Sequence, residues 1–367
     1  MAPLYLGDTA ISKIYKGSTE LAQNYLGDGA MLSTGPTGTD HFGVVTYTGN
    51  GSSGNSITGV GFQPDFLWIK SRSGTIGDFS HTIMDSTRGA SKSLSSNLTN
   101  VEVTNSNGLE SFDTDGFTVG SGAGGWNYNG SNYVAWGWKA NGGTTTSNNN
   151  GTISSTVQAN TTAGFSIVTY TGNNASSATI GHGLDSAPQL IFVKGRNVNA
   201  GWPTMFNDGS YSNYGIRLNQ SSVDTGNGGV FFNYTAPTST VFSVGSSDET
   251  NDGYNYVAYC WHSVDGYSKV GSYTGNGSTG LEVTLGFQAR FIMVKKAAPS
   301  GDRWLMADTT RHAALNNDAF LDTTSDLSER DFNCVNGITF GSNSFTINTT
   351  DGSFNSSGGT YIYLAFA

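Results

Sequence analysis

FGVVTYTGNGSSGNSITGVGFQPDFLWIK, residues 42–70, has two related segments further along the chain. They are FSIVTYTGNNASSATIGHGLDSAPQLIFVK at 165–194 and VGSYTGNGSTGLEVTLGFQARFIMVK at 270–295. Each copy contains a Tyr-Thr-Gly-Asn turn, then a polar stretch, then an apolar run that ends in lysine. Three copies of one pattern indicate a repeat architecture, so the repeats are interpreted before any single motif.

A second signature follows each copy and fixes the length of the repeat. It reads YVAWGWKA at 133–140, YVAYCWHS at 256–263 and YIYLAFA at 361–367. It begins 86, 86 and 88 residues after the tyrosine of the corresponding Tyr-Thr-Gly-Asn turn (133 − 47, 256 − 170 and 361 − 273). A separation held this closely indicates one folding unit that is used three times.

The composition favours an ordered β protein with many turns. Of 367 residues, 51 are glycine, 12% are aromatic and only 12% are charged. Disordered chains lack such aromatic and β-branched runs, and the glycine, asparagine and serine clusters between the runs are typical of turns. The net charge of −10 argues against a general nucleic-acid-binding protein. No apolar run has the length of a membrane span, and the first residues lack the features of an ordinary secretory signal.

The apolar runs predict short antiparallel strands. Residues 66–69, FLWI, form a continuous apolar run that is typical of a strand buried on both faces. In the closing signature, residues 133, 135 and 137 are expected on one face of the strand, and Val134, Trp136 and Trp138 on the other. Since no convincing amphipathic helix occurs, we predict an all-β chain with three tandem antiparallel β-sandwich units of jelly-roll or lectin-like type.

The repeat boundaries divide the chain into five segments. A stretch rich in threonine, asparagine and serine after the first unit predicts a flexible linker, whereas the second and third units follow each other directly. We therefore expect unit 1 to be loosely tethered and units 2 and 3 to form a rigid pair. The predicted segments are an N-terminal attachment segment (1–32), unit 1 (33–142), the linker (143–163), unit 2 (164–265) and unit 3 (266–367).

The first 32 residues contain a smaller repeat of ten residues. Each copy starts at a tyrosine and predicts a short strand, a glycine turn and another short strand. Because so small a unit cannot bury its apolar side chains alone, it either docks on unit 1 or attaches the chain to a larger assembly. The residues assigned to attachment are Tyr5, Ile11, Tyr15, Leu21 and Tyr25.

Two aspartate–arginine motifs are candidates for a specific site. Asp85 and Arg88 of unit 1 correspond to Asp308 and Arg311 of unit 3, while unit 2 has Asn207-Asp-Gly at this place. Such a pair is able to fix a loop through a bidentate salt bridge, or to hold a sugar hydroxyl or a carboxylate ligand. The structural interpretation is favoured, because unit 2 lacks the pair.

A second candidate set consists of aromatic residues that lie among turn-forming residues. On exposed loops such side chains stack on saccharides or contact other proteins. The alternative is that they cover the open ends of the sandwiches. The set is Trp126, Tyr128, Trp202, Tyr211, Tyr214 and Tyr254.

No motif predicts catalysis, a metal or a cofactor. The six glutamates do not form the pair of strand carboxylates that retaining glycosidases use. No Gly-x-Ser-x-Gly or His-Glu-x-x-His sequence occurs, and the aspartate-containing turns do not follow the spacing of a calcium loop. Neither cysteine lies in a metal-binding motif, and Cys260 is expected to be a buried free thiol.

The units resemble a repeated β-rich module of structural proteins of tailed bacteriophages, particularly those of marine bacteria and cyanobacteria. The residues that carry the likeness are GFQPDFLWIKSRS (61–73), MDSTRGA (84–90), SFDTDGFTVG (111–120) and YVAWGWKANGG (133–143). The segment YLGDTAISKIYKGSTEL resembles short stretches of phage tail and appendage proteins. The resemblance implies a component of the virion and no catalytic residues.

The residues and the resemblance together predict a non-enzymatic protein on the virion surface, made in the host cytoplasm. The N-terminal segment would bind other virion proteins, and the sandwiches would project toward host-surface polysaccharide, as in a tail fibre or appendage. Such components are usually symmetric homo-oligomers, so a trimer is expected first. The alternatives are a capsid decoration or head-fibre protein without a ligand, and a glycan-degrading enzyme of sandwich fold.

Overall fold

The computed structural model confirms an all-β protein, with 44% of the residues in strands and 5% in helices. It describes residues 38–367 apart from 74–77, 123–124, 209–213, 226–227, 313–318 and 330–336. Before residue 38 it describes the backbone of six short strands. Side chains are described from residue 39 onward, apart from those gaps and from residues 214, 224–225 and 228–229.

The N-terminal segment forms three short antiparallel hairpins, as the ten-residue repeat predicts. The side chains of Tyr5, Ile11, Tyr15 and Tyr25, and Leu21 as a whole, lie outside the described residues. The assignment of these residues to attachment therefore stays a prediction. The paired strands are β1 (Leu4–Leu6) with β2 (Thr9–Ile11), β3 (Tyr15–Lys16) with β4 (Thr19–Glu20), and β5 (Gln23–Tyr25) with β6 (Met31–Ser33).

Unit 1 is a sandwich of a four-stranded inner sheet and a three-stranded outer sheet. Its elements are α1 (Gly38–His41), β7 (Phe42–Thr48), β8 (Asn55–Thr58), β9 (Phe66–Ser73), β10 (Thr82–Asp85), β11 (Lys92–Ser93), β12 (Val103–Thr104), β13 (Leu109–Asp113), β14 (Gly116–Val119) and β15 (Asn132–Trp138). The inner sheet has the order β10-β9-β15-β7 and the outer sheet β13-β14-β8, while β11 and β12 form a separate pair.

Unit 2 has the same inner order, extended on both sides into eight strands. Its elements are β16 (Thr146–Asn148), β17 (Ser155–Asn160), β18 (Phe165–Thr171), β19 (Ala178–Gly181), β20 (Leu190–Gly195), β21 (Pro203–Phe206), β22 (Tyr214–Arg217), β23 (Val223–Thr225), α2 (Gly228–Phe232), β24 (Val241–Val244) and β25 (Asn255–Trp261). The inner order is β16-β17-β18-β25-β20-β21-β22-β23, and β19 pairs with β24.

The expected flexible linker, residues 143–163, is instead part of this sheet. Strands β16 and β17 lie within it, and β17 pairs with β18 over six residues, from Ser155 opposite Tyr170 to Asn160 opposite Phe165. The polar composition concealed a strand, since Ile153 and Val157 are both buried in the core of unit 2.

Unit 3 repeats the arrangement once more. Its elements are β26 (Ser268–Thr274), β27 (Leu281–Thr284), β28 (Phe291–Ala298), β29 (Trp304–Asp308), α3 (Thr309–His312), β30 (Leu321–Asp322), β31 (Ile338–Phe340), β32 (Ser344–Ile347), α4 (Gly352–Asn355) and β33 (Thr360–Phe366). The inner sheet has the order β26-β33-β28-β29-β30 and the outer sheet β27-β32-β31. The central pairing of first, last and middle strand is therefore the same in the three segments.

A central core is shared by all three units. Strand β9 is buried on both faces, as predicted: Leu67 and Ile69 pack in unit 1's own core, and Phe66 and Trp68 in the shared one. Rings from different units touch there. The centroid distances are 4.5 Å between Phe66 and Tyr259, 4.9 Å between Phe42 and Phe366, and 6.0 Å between Phe192 and Trp304.

This shared core corrects the expectation that unit 1 is loosely tethered. The inner sheets are buried on both faces, one against the unit's own outer sheet and one against the other two units. Burial of each of these aromatic side chains stabilises the folded state by on the order of 1.5–3 kcal/mol. Because several of them lie on the inner face of unit 1, separating this unit from the other two would be strongly unfavourable. The three units pack as one body.

Candidate functional site

The aspartate–arginine motif of unit 1 is a buried ionic cluster. The backbone N–H of Arg88 donates to Asp85 Oδ1 at 2.8 Å, and its Nε donates to Asp85 Oδ2 at 2.5 Å. The guanidinium also donates to Glu102 at 3.0 Å and to the carbonyl oxygen of Ile83 at 3.2 Å. Burial lowers the pKa of Arg88, but the nearby Asp85, Tyr259 and Glu102 outweigh it, and the net pKa is raised.

Unit 3 repeats the cluster with nearly the same distances. Arg311 donates through its backbone N–H and Nε to Asp308, at 2.9 and 2.5 Å. Its remaining nitrogens donate to Glu329 at 2.8 Å and to the carbonyl oxygen of Met306 at 3.3 Å. All four side chains of the two aspartate–arginine pairs are fully buried, so these clusters hold loops and do not present a surface for a ligand.

Each cluster receives a hydrogen bond from the closing strand of another unit. Tyr259 Oη of unit 2 donates to Asp85 of unit 1 at 2.7 Å. Trp136 Nε1 of unit 1 donates to Asp308 of unit 3 at 3.0 Å, and the Arg311 guanidinium carbon lies 5.2 Å from the centroid of the Trp136 ring. These bonds join residues of different units that are 174 and 172 positions apart in the sequence.

At the junction between units 2 and 3, apolar residues occupy the positions that correspond to the aspartate and to its hydrogen-bond donor. Phe206 pairs with the first residue of its neighbouring strand, the register that Asp85 and Asp308 have in their units. Leu364 is opposite Met293, the register that Tyr259 has opposite Phe192. Phe206 thus replaces the acceptor carboxylate, and Leu364 replaces the side chain that would donate to it. Because a buried carboxylate without its partners would be costly, the joint replacement explains how unit 2 folds without the motif.

The lysine that ends each apolar run forms a second link between units. The Nζ atoms of Lys70, Lys194 and Lys295 are buried and donate to backbone carbonyl oxygens. Burial lowers the pKa of Lys70 and Lys194 to about 8 and of Lys295 to about 7, against the opposing effect of nearby carboxylates. The acceptors in neighbouring units are Asp326 at 3.0 Å for Lys70, Thr99 at 3.0 Å for Lys194, and Gln220 and Ser221 at 2.8 Å for Lys295.

These links run in one direction around the core. The lysine of unit 1 donates to unit 3, that of unit 2 donates to unit 1, and that of unit 3 donates to unit 2. A lowered pKa is able to activate a lysine as a nucleophile, but here carbonyl oxygens enclose each amine, so a structural role fits the geometry.

His81 joins this set as a neutral side chain. Its Nδ1 accepts from Trp68 Nε1 at 2.8 Å, and its Nε2 lies 3.0 Å from the carbonyl oxygen of Asp322 in unit 3. This arrangement requires the tautomer with the proton on Nε2. Burial, reinforced by the charge of Lys70, holds the pKa of His81 well below its ordinary value.

The structure places the predicted aromatic residues mostly in the interior. Trp126 is 8% exposed and Trp202 is fully buried, which overturns their assignment to exposed loops. Trp202 Nε1 donates to the carbonyl oxygens of Ser95 and Leu98 in unit 1, at 3.0 and 3.2 Å. Tyr128 and Tyr254 are partly buried against the cores of their units. Tyr211 and the side chain of Tyr214 lie outside the described residues.

An open groove lies on the surface of the described residues. It has a volume of about 830 Å³ and lies at the lateral edge of unit 3, between strands β26 and β27. Apolar side chains of Val283, Leu285 and Phe287 line it, together with Lys269 and Glu282. No sequence motif pointed to this groove, because its walls are ordinary strand residues.

The glutamates and the cysteines are located as follows in the described part of the chain. Every glutamate whose side chain is described accepts from another side chain. No group of three or more metal-binding side chains occurs among the described residues, and none of the described helices is long and apolar enough to span a membrane. Cys260 is a buried free thiol, as predicted, while Cys334 lies outside the described residues.

Comparison with known families matches nearly the whole chain. The family model described as Domain of unknown function (DUF7483) covers residues 37–367, and the chain belongs to this family. The match spans the three units and leaves out the hairpin segment. No curated protein matches the chain, and no solved structure matches it.

Proposed function

We propose that this member of the DUF7483 family is a non-catalytic structural protein on the surface of a bacteriophage particle. The observation that carries the proposal is the shared core with its directional links. Such a body, in which the units share one apolar core, suits a structural role. The assignment to a virion is supported by the resemblance of the sequence to phage structural modules.

The N-terminal hairpins are proposed as the attachment. They lie outside the range matched by the family model, and short hairpins need a partner surface to bury their apolar residues. Other virion proteins are the proposed partners. A homo-oligomer, a trimer first, remains the assembly to test.

Between the two surface roles, a decoration or head-fibre protein without a glycan ligand is better supported than a glycan-binding fibre. Saccharide stacking needs aromatic faces that solvent can reach, and Trp126 and Trp202 do not offer them. Tyr128 and Tyr254 remain as partly exposed candidates. A glycan-degrading enzyme is disfavoured because the described glutamates are engaged in hydrogen bonds or ion pairs.

Assembly on particles tests this proposal. Particles made without the protein are mixed with the full chain or with a variant that lacks residues 1–37, and both are followed by cryo-electron microscopy with an antibody against residues 164–367. Regular surface labelling with the full chain and none with the shortened variant is expected. Unlabelled particles in both cases would reject the surface role, and equal labelling would reject attachment through the hairpins. Release of reducing sugar from host polysaccharide would instead support the enzyme.

A further inference from the structure

The gap between the two sheets of unit 2 is closed by a strand that precedes the unit. Strand β17 adds to the edge strand β18, and Val157 packs in the core of the unit. A Cβ on Gly183 would lie 2.5 Å from Val157 Cγ1, which shows how closely the added strand fits beneath this glycine. Unit 2 therefore demonstrates strand addition at this kind of edge.

Unit 1 closes the same gap by a different device. Val60 packs against Gly43, where a Cβ would lie 2.5 Å from the carbonyl oxygen of Val60. Gly61 corresponds to Gly183, and a Cβ there would be 3.1 Å from the carbonyl oxygen of Thr39, in α1. Residues preceding the first strand thus contribute to closure in unit 1 as well.

Unit 3 has an open gap in the part of the chain that the structure describes. Gly286 corresponds to Gly61 and Gly183 and shares their positive φ, at 99°, but a Cβ there would meet no described atom within 4 Å. Units 2 and 3 are joined directly: β25 ends at Trp261 and β26 begins at Ser268, so no additional strand lies between them to cover it. Only the first half of β26 is protected. Val264 and Ser268 exchange backbone hydrogen bonds of 3.1 and 2.8 Å, and the backbone N–H of Val270 donates to Ser263 Oγ at 2.9 Å.

The outward backbone of β26 is suited to pairing. Ser268 turns its N–H and C=O away from β33 toward Val264, so the alternation of a strand turns those of Ser272 and Thr274 the same way. Both residues are exposed. Ser272 also lines the groove, so a segment that pairs with its backbone would lie against the opening, which is the geometry that strand addition uses.

The charges around the groove select the occupant. Asp208, Asp265 and Glu282 line it on the acidic side, against Lys269, whose Nζ donates to the carbonyl oxygen of Thr284 at 2.9 Å. The apolar floor of the groove has room for small side chains from every second residue of an added strand. Val157 of β17 is such a side chain in unit 2. An uncharged or basic segment fits this lining, and an acidic one does not.

We propose that the edge of unit 3 is a docking site for an extended segment of a partner polypeptide. The segment adds antiparallel to β26, inserts small apolar side chains at alternate positions between β26 and β27, and carries uncharged or basic residues between them. This proposal does not rest on the virion role, since the isolated protein is expected to bind such a segment.

The chain supplies its own probe for the test. A fluorescent peptide of residues 151–163, GTISSTVQANTTA, is titrated with the full protein and followed by anisotropy. Saturable binding is expected, and the same peptide with Val157→Glu should bind at least about tenfold more weakly, because its carboxylate would enter an apolar, acidic groove.

Two protein variants locate the site. Ser272→Pro removes an outward N–H of β26 and should weaken binding about tenfold, the effect of roughly one lost hydrogen bond. Thr46→Pro makes the corresponding change in β7 of unit 1, where the gap is closed, and should leave binding unchanged. Glu282→Lys alters the charge without touching the backbone and should weaken a peptide that carries lysine in place of Gln158.

Several results would overturn the proposal. These are no saturable binding to the unaltered protein, equal affinity for the Val157→Glu peptide, or equal losses in the Ser272→Pro and Thr46→Pro variants while both keep the thermal transition of the unaltered protein. Binding of a neutral oligosaccharide that is lost on Glu282→Lys, without peptide binding, would assign the groove to glycans instead.

Discussion

Tyr259 ties unit 2 to the ionic cluster of unit 1, and its replacement by phenylalanine tests whether this link stabilises the whole molecule. The change removes one hydroxyl and keeps the ring that packs 4.5 Å from Phe66. The lost bond, 2.7 Å from Tyr259 Oη to Asp85 Oδ2, is buried and involves a carboxylate. Bonds of this kind are worth about 1.5–3 kcal/mol.

The expected shift in melting temperature follows from the size of the body. Unfolding entropy is about 2.1 cal/mol/K per residue near 60 °C, or roughly 0.7 kcal/mol/K for residues 38–367. A loss of about 1.5–3 kcal/mol therefore lowers Tm by roughly 2–4 °C. Urea unfolding should show the same loss by tryptophan fluorescence and by far-ultraviolet circular dichroism.

Tyr170→Phe is the matched control. Tyr170 Oη donates to the carbonyl oxygen of Thr250 at 2.8 Å, within unit 2, so its removal should cost only about 0.5–1.5 kcal/mol. A cycle that combines Tyr259→Phe with Asp85→Asn measures the coupling across units directly. Additivity within about 0.5 kcal/mol, the behaviour of independent sites, would refute the link between the two units.

Three further outcomes are expected. Trp202→Ala should destabilise the protein by about 3–5 kcal/mol, because the side chain is fully buried; an unchanged urea midpoint would restore a surface role for it. Burial lowers the pKa of His182 and His312 to about 4, so the unfolded chain binds more protons between pH 6.5 and 4. Each histidine should then cost about 2 kcal/mol of unfolding free energy from pH 7 to pH 5, a loss that His182→Gln should reduce and that a flat pH profile would exclude. Arg311→Met leaves Asp308 buried without its cation, while Glu329 keeps its ion pair with Arg72 at 2.8 Å, and the change should cost about 3–5 kcal/mol. The control is Lys92→Met, at a partly exposed side chain outside the cluster, which should stay within about 0.5 kcal/mol; equal effects of the two changes would contradict the cluster.

The sequence predicts the strands well because their signals are local. The run at 66–69 and the alternation at 133–138 depend on neighbouring residues, and the buried faces agree with both. The aspartate–arginine pair was also predictable as a loop-fixing salt bridge, because its two residues are three apart.

The shared core was not predictable from the same patterns. An apolar run shows that a strand is covered on both faces, but it does not show that the second cover is another unit. Trp202 was misjudged for the same reason: its neighbours are turn residues, while the carbonyl oxygens it binds lie in the loop at Ser95 and Leu98.

The strand within the expected linker gave a signal that composition concealed. Ile153, Val157 and Ala159 fall on alternate positions of one face, and the first two are buried. The polar residues between them dominate the composition of the segment and led to the prediction of a flexible chain.

Calorimetry of the full chain tests the shared core most directly. If the three units unfold as one body, residues 38–367 should give a single transition with a van't Hoff enthalpy of about 230 kcal/mol, from roughly 0.7 kcal/mol per residue, equal to the calorimetric enthalpy. Separate transitions, or a van't Hoff enthalpy near the value of about 70 kcal/mol expected for a single unit of roughly 100 residues, would show that the units unfold independently and would contradict the account.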